Sequence, residues 1–198
     1  MYFIMLFLYM NQIYIYILIT IIVYFIFSFS EYLIHRFIMH DNSTIFGKEH
    51  LIHHKSTNNE TMQIIESSEL DHRQNLCFDY DTLIITIVLF ALYLFILRKF
   101  TKKKEYIIYS FLLFVFLSLF IVTIWNSIHC YMHNEDSSKK CKIYLNNDSI
   151  EKIKDTIYVK WIIWNHTLHH IRKGERKGNF NIVLPGADHL FGTYYTTP

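Results

Sequence analysis

Three long apolar runs are the feature that most limits how this chain can fold. They cover residues 3–29, 82–97 and 106–125 of the 198-residue sequence. A helix crosses the hydrocarbon core of a bilayer with about 20 apolar residues. Inside a bilayer the backbone amides must be bonded within the protein, so single runs of this kind fold as helices. The runs predict an all-α integral membrane protein with about three transmembrane helices.

The stretches around these runs indicate how the chain is organised. No basic segment precedes the first run and no small-residue cleavage site follows it, which favours a retained helix over a signal peptide. A length of 198 residues is typical of a single domain, here residues 1–198. We expect the polar stretch at about 134–157 to be a surface insertion in that domain.

Charge and cysteine spacing argue against several classes of protein. The net charge is +2 and no basic face stands out from the apolar runs, so a nucleic-acid partner is not expected. Cys77, Cys130 and Cys141 are unevenly spaced and form no C-x-x-C pair. The spacing therefore predicts neither a disulfide framework nor a thiolate zinc site, and we expect three reduced thiols.

Histidines are concentrated beside the ends of the apolar runs. Ten of the twelve fall in four clusters, which read HRFIMH, HLIHH, HCYMH and HTLHH. Imidazole is the commonest metal ligand in proteins and suits zinc, copper, iron and nickel. The candidate metal ligands are His35, His40, His50, His53, His54, His129, His133, His166, His169 and His170.

The order of the runs places all four clusters on one side of the bilayer, here called the histidine face. The second and third runs form a hairpin around residues 98–105, so the chain crosses the bilayer twice between His54 and His129. No further run of 20 apolar residues follows before His170. We therefore expect one site, carried by a helical, histidine-rich domain that can hold two metal ions.

The side on which this face lies is predicted from basic residues. Arg36 and Lys48 follow the first run and no basic residue precedes it, which favours a cytosolic histidine face. The hairpin would then carry its five basic residues on the non-cytosolic side, against the tendency of basic loops to lie in the cytosol. We expect an internal membrane, such as the endoplasmic reticulum, with the histidine face toward the cytosol and the hairpin lysines at the interface.

Helical spacing explains how the clusters could share two metals. Residues three or four apart lie on one face of a helix, so His50 can act with either His53 or His54. His53 and His54 diverge by about 100°, so one triplet can serve two neighbouring metals. His35 and His40 are five apart, about 140° on an ideal helix. Either the helix is distorted there or His40 lies just past its end.

The four clusters, in this order, resemble the membrane-bound fatty acid hydroxylase superfamily. Its hallmark is H-x(3,4)-H, H-x-x-H-H, H-x(3)-H and H-x-x-H-H, and the closing GNFNIVLPGADHLFGTY, residues 178–194, also resembles the family's ending. Asn181 stands where the family usually has Gly. The spacing of His35 and His40 looks more like fatty acid 2-hydroxylases than sterol C4-methyl oxidases.

The resemblance implies an O2-dependent lipid hydroxylase, a non-haem oxidoreductase with two iron ions. It implies an acyl chain of a membrane lipid as substrate, with electrons supplied in trans by a small haem cytochrome or a flavoprotein. Zinc could replace iron in the isolated protein. One alternative is a lipid desaturase or sterol-type oxidase on the same centre. Another, from a different class, is a membrane metal transporter or metal-binding protein.

Some residues near the clusters are assigned lesser roles. Metal-bound histidines often donate their second N–H to a carboxylate, so Glu31, Glu49 and Asp188 are candidates for such support. His72 has no histidine three or four residues away, and His189 occupies a position where the family tolerates other residues. Both are expected not to bind metal.

Overall fold

The computed structural model describes residues 2–64, 77–171 and 177–198. These ranges contain eight α-helices and no β-sheet. The helices are α1 (Tyr2–Leu33), α2 (Ile45–Ser56), α3 (Tyr80–Phe100), α4 (Lys104–Met132), α5 (Ser137–Lys140), α6 (Asn147–Ile153), α7 (Ile157–Ile171) and α8 (Ala187–Leu190). A π-helical turn (Ile34–Met39) continues α1 directly.

Three of these helical segments are long and apolar enough to cross a membrane: Gln12–Met39, Thr82–Phe100 and Lys104–Met132. Large apolar side chains such as Phe95 and Phe116 are more than half exposed on them. Such an apolar surface suits contact with lipid tails. The prediction of an all-α membrane protein with three transmembrane helices is confirmed.

The fourth helix is the centre of the transmembrane part, because both α1 and α3 pack against it. Phe27 of α1 meets Phe114 of α4 with ring centroids 5.1 Å apart. On the other side, Thr86 of α3 donates a 2.9 Å hydrogen bond from Oγ1 to the Oγ of Ser118. Pairing hydroxyls between helices satisfies polar groups that have no water partner inside a bilayer.

The same helix also reaches beyond the bilayer. Its 29 residues span about 44 Å, whereas the hydrocarbon core is about 30 Å thick. The C-terminal turns of α4 therefore project past the predicted run 106–125 and carry His129. The predicted polar insertion at 134–157 contains α5 and α6, and both pack against α4.

The prediction of three reduced thiols is wrong for two of the cysteines. Cys77 and Cys141 form a disulfide, with Cα atoms 5.5 Å apart, and Cys130 is a buried thiol. The bonded cysteines are 64 positions apart, and no local pattern of the sequence indicates that they pair. The pair forms because the segment before α3 and the segment after α5 meet at the projecting end of α4.

Candidate metal centre

A distortion of the first helix brings His35 and His40 together. The π-helical turn Ile34–Met39 contains His35, and His40 is the residue directly after it. In a π-helix the backbone bonds join residues five apart, so the two histidines lie close together instead of diverging. Their rings are stacked, with centroids 5.3 Å apart. Both expected explanations therefore apply, because the helix is distorted and His40 lies just past its end.

The second helix starts after a tight turn that aims its histidines at the first pair. Thr44 caps α2 by accepting a 2.8 Å hydrogen bond from the Gly47 N–H. A Cβ atom at Gly47 would lie only 1.8 Å from the carbonyl oxygen of Asp41, so this close approach requires glycine. Side-chain capping of this kind satisfies one of the free amides at a helix start.

Nine of the ten candidate histidines fall into two compact groups. In each group the ring nitrogens that could bind a metal all lie within 4.8 Å of one another. The first group, called the His129 group, consists of His53, His129, His133, His166 and His170. The second, called the His35 group, consists of His35, His40, His50 and His169.

His54 completes the His35 group as its fifth member. Its Nε2 atom lies 3.0 Å from Nε2 of His50 and 3.1 Å from Nε2 of His169. Its ring also stacks on His170 of the other group, with centroids 4.1 Å apart, so the two groups are neighbours. Each H-x-x-H-H triplet therefore contributes to both groups.

The spacing inside the groups fits metal ligands. Nε2 of His35 lies 3.1 Å from Nε2 of His50, and Nε2 of His129 lies 3.2 Å from Nε2 of His53. Two nitrogens at right angles on a metal, each bonded at about 2.1 Å, are about 3.0 Å apart. Neutral imidazoles that face one another with nitrogen lone pairs repel, and a cation between them removes that repulsion. The donor set therefore fits a metal ion in each group.

Backbone carbonyls hold three of the rings in place. Nδ1 of His35 lies 2.7 Å from the carbonyl oxygen of Phe180, and Nδ1 of His169 lies 2.8 Å from that of Gly178. Nδ1 of His133 lies 2.5 Å from the carbonyl oxygen of Met62. Because a carbonyl can only accept, Nδ1 carries the proton and Nε2 keeps its lone pair for a metal.

Sequence reasoning missed these carbonyl partners. Met62 and Asn179 have positive φ angles, 60° and 56°, which are uncommon for residues other than glycine. Asn179 adopts this conformation more readily than most residues, so this asparagine was a local signal of the unusual backbone next to Phe180. Met62 offered no such signal.

The three candidate carboxylates have different surroundings. Glu31 accepts hydrogen bonds from the backbone N–H groups of Ile182, Val183 and Leu184. Asp188 accepts from the Asn181 N–H at 2.6 Å. These two residues hold the segment that carries Phe180 and so support His35 through it. Glu49 is half-buried on α2.

Asn181 connects these carboxylates. Its side chain donates to the carbonyl oxygen of Ser28 at 2.7 Å and accepts from the Asp188 N–H at 2.9 Å. The amide thus ties the closing segment to α1, a role that a glycine at this position could not supply.

The two remaining histidines lie outside both groups or outside the described residues. His189 is exposed on α8, where its ring stacks on Tyr194 with centroids 4.0 Å apart. His72, also expected not to bind metal, lies outside the described residues.

Burial favours the neutral form of His40, His133 and His169. It lowers the pKa of His40 to about 3, with a further contribution from His169 and Lys177. It also lowers the pKa of His133 and of His169 to about 4, although the carbonyl partners of these two rings act in the opposite direction. Neutral imidazole is the form that binds metal ions.

Acidification is expected to destabilise the metal-free protein. In the unfolded chain the histidine pKa is about 6.5, so between pH 6.5 and about 4 the unfolded chain binds more protons than the folded one. The free energy of unfolding therefore falls as the pH is lowered through this window. We expect a melting temperature at least about 5 °C lower at pH 5 than at pH 7.5. Equal melting temperatures would contradict this, and His189→Gln should leave the difference unchanged.

Gly178→Ala is expected to disturb His169. A Cβ atom there would lie 2.3 Å from the carbonyl oxygen of Thr193, so the backbone must shift together with the carbonyl that orients His169. Loss of such an orienting bond typically costs about 10- to 100-fold in metal affinity or activity. Metal titration and turnover measure the effect. Gly192→Ala is the control, because its Cβ would meet no atom within 4 Å and only its positive φ is strained.

A largely apolar cavity of about 290 Å³ reaches His35 of the His35 group. Its walls come mainly from α1, the π-helical turn, α3 and α4, and His35 and Trp125 lie among the lining residues. The Trp125 ring also contacts His129, with centroids 5.0 Å apart. The cavity therefore leads from the transmembrane helices to the histidines.

The comparisons with known proteins agree with this architecture. The family model described as "Fatty acid hydroxylase" matches residues 20–193, which include both histidine groups and all but the last residue of the closing segment. No curated protein and no solved structure matches the chain. The match, the buried histidines and the three apolar helices identify a membrane-embedded, metal-dependent lipid hydroxylase or desaturase, and the chain belongs to the fatty acid hydroxylase family.

Proposed function

We propose that this protein is an O2-dependent hydroxylase that acts on an acyl chain of a membrane lipid. The observation that carries the proposal is an apolar cavity between transmembrane helices that reaches His35, a member of one of two neighbouring five-histidine groups. Two iron ions, one in each group, would supply the redox chemistry that an unactivated C–H bond requires and that zinc lacks. Zinc is expected as a substitute in the isolated protein.

The histidines would act as ligands in two sets that share the triplets. His50 and His54 of α2 and His169 of α7 belong to the His35 group. His53 of α2 belongs to the His129 group, together with two further residues of α7. Because the adjacent residues His53 and His54 belong to different groups, as do His169 and His170, ions held by the two groups would be neighbours.

The cavity would bind the acyl chain and exclude water. Leu89 and Val122 are typical of its apolar lining, and a hydrocarbon chain gains free energy by leaving water for such a surface. Trp125 stands between this lining and His129, so it would position the chain against the histidines. The cavity is lined by α1 and α3, which both pack on α4. Because these helices lie in the bilayer, the arrangement favours entry of the acyl chain into the cavity from the lipid side.

Lipid profiling of cells that express the protein under isotopically labelled O2 tests the proposal. We expect a lipid with one added hydroxyl that carries the label, and no such product from the double variant His53→Ala, His54→Ala. His189→Ala is the matched control, because it removes an imidazole outside both groups. A desaturated lipid without any hydroxylated one would assign the protein to the desaturase alternative. A hydroxyl oxygen derived from water would contradict the proposal.

Electrons would reach the site from a separate small haem cytochrome or flavoprotein reductase on the histidine face. We propose that this face is cytosolic, on the basis of Arg36 and Lys48 after the first span. Labelling with a membrane-impermeant thiol reagent tests the arrangement, with cysteine placed at Lys103 in the hairpin or at Lys139 in α5. In intact microsomes Lys139→Cys should react and Lys103→Cys should not. Reaction of Lys103→Cys alone would reverse the orientation, and reaction of both would contradict the topology.

A further inference from the structure

A third cluster of side chains that could hold a metal ion lies outside the two histidine groups. The sulfur atoms of Cys77, Cys130 and Cys141 all lie within 4.8 Å of one another. All three side chains are buried, with exposed fractions of 7%, 0% and 5%. They come from three different segments, which are the residues before α3, the last turns of α4 and the residue after α5. The fold therefore gathers every cysteine of the chain at one point.

The sulfur spacing is close to that of a thiolate metal site. Cys77 and Cys141 are joined as a disulfide, and Sγ of Cys130 lies 3.6 Å from Sγ of Cys141. Two thiolates bonded to one tetrahedral ion at about 2.3 Å each are about 3.8 Å apart. Once the disulfide is reduced, its two sulfurs can move about 2 Å further apart, to the distance between two thiolates on one ion. All three sulfurs can then bind the same ion.

The surrounding hydrogen bonds hold the three segments together independently of the disulfide. Asn126, one turn before Cys130 on α4, accepts from the Phe78 N–H at 2.9 Å and donates to the carbonyl oxygen of Ile143 at 2.8 Å. Asp79 accepts from the N–H groups of Lys142 and Ile143 at 2.9 and 3.1 Å. These partners are neighbours of Cys77 and Cys141 in the chain. The cysteines therefore stay together when the disulfide is open.

We propose that the three cysteines, when reduced, form a thiolate site for a thiophilic d10 ion, Zn²⁺ or Cu⁺, that is separate from the histidine groups. Soft thiolate donors select these ions. The site and the Cys77–Cys141 disulfide exclude each other, so the cluster has two forms. Where the surrounding compartment keeps thiols reduced, as the cytosol does, the metal-binding form would predominate over the disulfide form seen in the structure.

Electrons and protons balance in the conversion of the disulfide form to the metal-binding form. A dithiol reductant transfers two electrons and two protons to the disulfide, which gives two thiols, and the dithiol becomes a cyclic disulfide. Binding of the ion then releases the three thiol protons. None of these steps involves the lipid reaction, so the inference stands or falls independently of the proposed hydroxylase activity.

Titration with Cd²⁺ tests the site, because only thiolate ligands produce its near-ultraviolet charge-transfer absorption. The protein is first saturated with Fe²⁺ to occupy the histidines, reduced with a phosphine and freed of it under nitrogen. We expect a band that saturates at one Cd²⁺ per chain, and displacement of that Cd²⁺ by Zn²⁺ or Cu⁺. The oxidised protein, with Cys77 and Cys141 bonded, should give no band.

Serine variants assign the band to the cluster. Cys130→Ser and Cys77→Ser should each weaken Cd²⁺ binding at least tenfold. Oxidised Cys130→Ser should retain the Cys77–Cys141 disulfide in peptide mapping, which shows that the variant folds. The inference is overturned if the reduced wild type gives no band, if Cys130→Ser gives the same band as the wild type, or if neither Zn²⁺ nor Cu⁺ displaces the bound Cd²⁺. The comparison of oxidised and reduced wild type remains decisive if a variant does not fold.

Discussion

Alanine substitution of His129 is expected to lower hydroxylated product at least about 100-fold. Nε2 of His129 lies 3.2 Å from Nε2 of His53, inside the five-histidine group at the end of α4. Loss of an orienting partner alone costs about 10- to 100-fold, and loss of a direct ligand should exceed that range. Four donors would remain in the group, so metal content should fall less than activity. Product analysis and metal content of the same preparation measure the two effects.

The matched control is His189→Ala, because this ring stacks on Tyr194 outside both groups. It should retain activity and metal content close to those of the wild type. His72→Ala is expected to behave in the same way, on the basis of the sequence alone. Equal damage from His72→Ala and His129→Ala would contradict the ligand assignment, as would a fully loaded wild type with one metal ion per chain.

Glu31→Ala is expected to lower both activity and stability. Its carboxylate accepts three backbone hydrogen bonds of 2.7–2.9 Å from Ile182, Val183 and Leu184. Without an acceptor these N–H groups lose their partners, at a cost of about 3 kcal/mol or more in the free energy of unfolding. The segment also carries the Phe180 carbonyl that orients His35, so activity should fall about 10- to 100-fold.

Two variants test whether the effect of Glu31→Ala comes from the lost hydrogen-bond acceptor or from the loss of a negative charge. Glu31→Gln keeps one side-chain oxygen, so its losses should be smaller than those of Glu31→Ala. Glu151→Ala removes a carboxylate from an exposed pair with Lys154 and should have little effect. Thermal unfolding in detergent and product analysis measure both quantities. If Glu31→Ala melts and turns over like the wild type, the closing segment does not depend on this residue.

Local patterns of the sequence predicted the membrane fold and which histidines share a helix face. Apolar runs of bilayer length predict transmembrane helices because unpaired amides are not tolerated in lipid. Spacings of three and four, as in His50, His53 and His54, place side chains on known faces of a helix. The even number of crossings between His54 and His129 placed the clusters on one side. The resemblance to the fatty acid hydroxylase superfamily, confirmed by the family match, rested on the order of the clusters.

Only the tertiary structure decided which side chains meet across elements. The triplet spacing allowed His50 to act with either His53 or His54. In the structure Nε2 of His54 lies next to both His50 and His169 of α7, so His50 acts with His54. The carbonyl partners of the rings, the apolar cavity and the meeting of Cys77 with Cys141 depend on how distant segments pack around the end of α4. Periodicity along a helix is a local property that neighbouring residues encode. A contact between residues 64 apart is set by the packing of whole helices, and no local pattern in this sequence encodes it.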